Sequence, residues 1–205
     1  VNTDFSYSFF SLNAGEWNAD SIVFVGFGIK DSTQDDYAGL DVKGKWVLVL
    51  EGLAKDINKP TDSVKYNFRS PGSFYQKAIA ARNNGAAGIL IVEKDFPKKS
   101  SAATKGNMYL KKQNASKNNP IVFVSPKVAA KILGITKDNF TGLKDIPLKT
   151  YPTQFLYSIQ SKTLNLQSSN VIGILPGTDK KDEYVFLTAH YDHLGKRDSV
   201  IWYGA

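Results

Sequence analysis

The chain has 205 residues, 42% of them apolar and 12% aromatic, which is enough for a packed core and excludes a chain disordered throughout. It has no cysteine, which excludes disulfides, thiolate metal sites and cysteine nucleophiles, and no apolar run approaches the ~18 residues of a membrane span. The net charge of +7 invites a polyanionic partner, but its layout argues against nucleic acid: seven lysines crowd residues 94–117 among Ser, Asn and Gly, with few aromatics and no arginine, while residues 1–41 carry seven acids against Lys30.

In chain order, Phe5, Tyr7, Phe9 and Phe10 stand in near-alternation and predict a lead-in strand within residues 1–16; which sheet it joins stays open. Val1 follows no charged-then-apolar leader, which leaves a removed signal peptide and an excised segment both open. Ser21–Ile29 predicts a strand ending at glycines, and Lys45–Leu50 a strand buried on both faces because it does not alternate. Ser70-Pro71-Gly72 predicts a cap and first turn, with Phe74, Ala78, Ala81 and Arg82 at helical spacing and Asn84-Gly85 as the stop. Gly88–Val92 completes a strand–helix–strand unit. The lysine-rich stretch reads as a solvated loop around a short strand. Pro120–Val124 follows as a strand, and Ser125-Pro126 opens a helix that ends at Leu133-Gly134. Thr136–Asn139 predicts a further cap and helical turn.

From Lys149 to Gln160 the pattern turns to period two, with Phe155, Tyr157 and Ile159 on one side, which predicts an exposed strand and a possible hairpin with Lys162–Leu166. Ser169–Leu175 and Tyr184–Ala189 predict a strand pair around Pro176-Gly177. The composition shift near residue 150 divides the chain into a lead-in strand (1–16), a mixed α/β part (17–150) and a strand-rich part (151–205).

Both histidines lie in His190-Tyr191-Asp192-His193, just past the run Tyr184–Ala189. Ends of strands in open α/β sheets collect ligands. Alternation puts His190 and Asp192 on one face, where a carboxylate could fix the tautomer of a metal-bound imidazole. A surface turn with a His near an Asp is the plainer reading of that spacing. There is no GxGxxG, P-loop lysine or G-x-S-x-G pattern, and Asp35-Asp36 reads as loop solvation.

Longer strings carry two resemblances. Val23–Ile29, Asp35–Val49, Gln76-Lys77-Ala78 and Asn84–Leu90 together resemble the PA (protease-associated) domain over about residues 20–150. Ser169–Gly173, Pro176-Gly177 and Val185–Gly195 resemble the opening of the co-catalytic zinc aminopeptidases, the group of the bacterial leucine aminopeptidases and aminopeptidase Y. The resemblances imply an α/β fold: a PA-type β-sheet domain with flanking helices, then the first strands of an incomplete zinc-exopeptidase sheet. They imply His190 as a zinc ligand, Asp192 as the residue orienting it, and a structural role for His193. Two zinc ions and a peptide substrate are expected of the whole enzyme, a hydrolase acting outside the cytosol, either extracellular or periplasmic.

The family's bridging Asp would fall just past Ala205, and its Glu base and remaining ligands farther on. A catalytic zinc needs about three protein ligands. These 205 residues alone are therefore expected to be inactive and to bind no zinc tightly. The alternative is a PA domain serving as a protein- or peptide-binding module in a non-catalytic relative. Uncovered strands in 151–205 would favour self-association.

Overall fold

The computed structural model describes residues 3–8, 14–59, 65–96, 119–136, 138–160, 165, 167–190, 195–197 and 199–202. The unbroken apolar runs form the centre of one sheet. Strands β3 (Trp46–Leu50), β4 (Gly88–Val92) and β5 (Ile121–Val124) are buried along their whole length. They run parallel to one another and to the end of β2 (Gly15–Phe24), with Val23 beside Val47, Val47 beside Ile89 and Leu90 beside Val122. Parallel strands covered on both faces need apolar side chains in both directions, which is why these runs do not alternate.

An antiparallel strand lies along each side of this parallel centre. β1 (Phe5–Tyr7) pairs with β5, so the lead-in strand belongs to this sheet. β6 (Lys149–Ile159) pairs with β2 from Phe24–Lys149 to Gly15–Ile159, across a register shift between Ala19 and Ser21. The six-stranded order is β1-β5-β4-β3-β2-β6. The composition shift at 150 falls inside β6, and the first compact unit runs to Thr163.

One face carries Leu48, Leu90 and Trp46 under helices α2 (Pro126–Leu133) and α3 (Phe140–Leu143). The other carries Val49, Ile91 and Phe123 against Ala81 of α1 (Phe74–Asn83). Trp46 is 2% exposed; its ring meets Phe155 at 4.8 Å and Tyr157 at 5.7 Å between centroids. Gly88 stands beside Trp46 in register, and a Cβ there would lie 2.7 Å from the indole.

The caps of α2 match the sequence. The Ser125 hydroxyl accepts from the Val128 N–H at 3.3 Å, Pro126 takes the first turn, and Gly134 closes the helix at φ 66°. Ser125→Ala is expected to cost about 1 kcal/mol, which lowers the melting temperature by roughly 2–4 °C in a thermal melt. In α3 the Asn139 side chain caps Gly142 N–H at 2.7 Å, so the helical turn starts at Phe140, just past the predicted Thr136–Asn139 stretch.

Three expectations need correction. Helix α1 is capped by Ser73 and starts at Phe74, because Asn67, Ser70 and Ser73 first make successive turns (Ser70 N–H to Asn67 O, Ser73 N–H to Ser70 O, both 2.9 Å). Strand β2 ends at Phe24, since Gly26 and Gly28 turn the chain at φ 59° and 63°. Ser169–Leu175 and Tyr184–Ala189 form no strand. They pair with nothing among the described residues, and Val171, Leu175, Val185 and Leu187 are more than nine-tenths exposed. A strand apolar on both sides needs neighbours at its edges and cover on its faces, and no described segment supplies them. The second unit, Leu164–Ala205, instead contains a hairpin of β7 (Gly195–Arg197) and β8 (Val200–Trp202). Most of the lysine-rich stretch and the proposed hairpin strand 162–166 lie outside the described residues. Among the described residues no helix is long and apolar enough to cross a membrane.

Candidate functional site

The structure places His190 on an exposed stretch without helix or strand, and Asp192 and His193 lie outside the described residues. Among the described residues no three His, Asp or Glu side chains converge as metal donors. His190 thus belongs to no such group of three among the described residues.

The described side chains converge elsewhere. A cavity of about 220 Å³ opens at the carboxyl ends of β3 and β4, where open α/β sheets commonly bind ligands. The sheet itself sets two carboxylates at its wall: Glu51 N–H donates to Val92 O at 2.9 Å and Glu93 N–H to Val124 O at 3.0 Å. Ile91 and Phe140 give it apolar wall, and Phe74 and Lys77 of α1 complete that side.

Opposite lies a hydrogen-bonded group formed by the 3₁₀ turn Ala54–Asp56 and Tyr66. The Tyr66 hydroxyl donates to Asp56 Oδ2 at 2.7 Å, and Lys59 Nζ sits 2.7 Å from Asp56 Oδ1. Lys59 and then Tyr66 hold the Asp56 carboxyl below its ordinary range. Burial, aided by the bond to Asp56, pushes the Tyr66 phenol up to about 12, so it stays a donor at neutral pH. Lys94 anchors the rim: its N–H donates to Glu51 Oε1 at 2.6 Å and its Nζ to Lys59 O at 2.9 Å.

Lys77 is the least expected member. It is 1% exposed, and its Nζ donates to Gly52 O at 2.8 Å and to Phe27 O. The Nζ lies 5.8 Å from the Phe27 ring centroid. Burial pulls this amine down to about 7, against the opposing pull of the Asp36 and Glu51 carboxylates. The sequence carried one sign of it: Lys77 stands four residues before buried Ala81, a charge in the buried register of α1.

The carboxylates Asp35 and Asp36 serve their turn, as their loop position suggests. Asp36 Oδ2 accepts from Ile29 N–H at 2.9 Å, and Asp35 Oδ2 pairs with Lys30 at 3.1 Å. A broader hollow beside the β2–β6 bulge is lined by Asp20, Phe155 and Leu156.

The fold and cavity define an α/β sheet domain with helices on both faces and an open carboxyl-end crevice. The PA domain family matches residues 14–132, and the chain belongs to that family. Strands β1 and β6 lie outside the matched span yet share its sheet. No curated protein matches the chain. Among solved structures it is similar to an aminopeptidase from Aneurinibacillus sp. strain AM-1, with 17% identity and a TM-score of 0.36 over 73% of this chain and 28% of that one. The chain thus spans less than a third of that protein's length.

Proposed function

We propose that this chain is the protease-associated part of a zinc aminopeptidase, in which the sheet domain flanks the substrate approach and His190 is one of the metal ligands. One observation carries the reading: a PA domain and the string Val185–Gly195, with its His190-Tyr191-Asp192, follow each other in one chain. In the whole enzyme bound zinc would supply an activated water and a polarised scissile carbonyl. His190 would hold the metal and Asp192 would orient His190. The substrates are peptides, met outside the cytosol.

Activity in the longer protein tests this. Asp192→Ala is expected to lower kcat/KM on an aminoacyl-p-nitroanilide by roughly 10- to 100-fold. His190→Ala, which removes a ligand outright, is expected to lower it further and to lower the bound zinc. Near-normal turnover by His190→Ala overturns the assignment. The 205-residue chain alone is expected to show no chelator-sensitive hydrolysis with added zinc, because His190 is its one residue matched to a ligand.

A further inference from the structure

We propose that Lys77 is a proton-operated clasp in the cavity wall, tying the turn after β2 and the turn after β3 to helix α1 and loosening as the solution is acidified. The inference does not rest on the peptidase reading.

The geometry matches the neutral amine. An uncharged lysine has two N–H groups, and two carbonyls, Phe27 O and Gly52 O, accept from it. A charged lysine has a third N–H and a full charge. Among the described residues Lys77 has no carboxylate within ion-pair distance, and the side chain is sealed from solvent. An ammonium there has the Phe27 ring face at 5.8 Å for its third N–H but no counter-ion, and burying such a charge is costly.

The groups around it fall into two sets. Asp36, in the loop between β2 and β3, and Glu51, past the end of β3, favour the charged form from a distance. Glu93 and Lys94 past β4, Asp56 and Lys59 of the 3₁₀ turn, and Tyr66 before α1 share the cavity wall; α3 contributes only Phe140. Protonation gives the amine a reason to draw in cavity water or the Glu51 carboxylate. Either movement takes it away from the two carbonyls it joins.

The sign follows from linkage. The amine is pulled from the ordinary lysine value of 10.5 to about 7 in the folded chain. Between those values the unfolded or opened chain holds a proton that the closed one lacks. Closure is therefore favoured as pH rises through that window, by up to tenfold per pH unit, and is flat below it.

The test uses the full chain with lysine Cε carbons labelled for NMR and amide hydrogen exchange corrected for intrinsic rate. In the wild type one lysine is expected to titrate near 7, and the amides of 27–29 and 51–53 to gain roughly tenfold protection per pH unit above that point. In Lys77→Met both the titration and the pH dependence are expected to vanish. The proposal is overturned if every wild-type lysine titrates above about pH 9, if wild-type protection is flat across the window, or if Lys77→Met keeps the wild-type pH dependence. Should Lys77→Met fail to fold, the wild-type titration decides by itself.

Discussion

Trp46→Ala is expected to destabilise the sheet unit by about 3–5 kcal/mol. The indole is the largest fully buried side chain among the described residues and stands at the start of β3, in the middle of the sheet. Phe155 and Tyr157 of β6 pack edge-on to it, so its removal uncouples β6 from the parallel centre as well as leaving a void. Gly88 beside it cannot fill the space, having no side chain. The urea midpoint should fall sharply with little change in slope. A loss under about 1 kcal/mol would mean that the site collapses freely, and would contradict the packing described.

Gly28→Val is expected to be nearly as severe, about 2–5 kcal/mol. Two effects add. The residue sits at φ 63°, where a Cβ costs about 1–2 kcal/mol, more for a branched one. A Cβ would also lie 2.7 Å from Cγ1 of Val49, which is buried and has no room to retreat; overpacking of this kind costs about 1–3 kcal/mol. Gly39→Val separates the terms, since its φ is also positive (74°) but nothing stands within 4 Å of the added atom. Equal losses at the two positions in chemical denaturation would rule out the steric contribution.

The centre of the fold was legible because its residues have one reading. WVLVL, GILIV and IVFV are too apolar for anything but a covered strand, and Ser125-Pro126 with Gly134 brackets a helix at both ends. The edges were less legible. Alternation in Lys149–Ile159 shows that one side is packed and the other wet, but not which neighbour it meets; its partner, β2, lies far upstream. Ser70 and Ser73 are both good caps, and which one starts α1 depends on the turns built from Asn67. Ser169–Leu175 and Tyr184–Ala189 have strand composition, yet composition supplies no hydrogen-bonding partner.

The sites divide in the same way. His190 and Asp192 are visible as residue types and by resemblance; His190 joins no group of three donors among the described residues, and Asp192 lies outside them. The cavity at the carboxyl ends of β3 and β4 was invisible, because Glu51, Tyr66, Lys77 and Glu93 are scattered through the sequence and meet only once the sheet is formed. A lysine in a helix reads as solvated until the burial of its neighbours is known.

The pairing of Gly15 with Ile159 has a kinetic meaning. The parallel centre can assemble from strands that lie fairly near one another in sequence, but the β2–β6 seam joins the two ends of the unit. High contact order of this kind slows folding, because the loop entropy is lost before the pairing is gained. During synthesis, β2 leaves the ribosome long before its partner does. Until residues 149–159 follow, its outer edge and the Trp17 ring, which later packs 5.5 Å from Tyr157, stand open to other chains. A nascent or truncated chain that ends before Lys149 is thus the form most prone to aggregate, and co-expression of a peptide spanning β6 should keep it soluble.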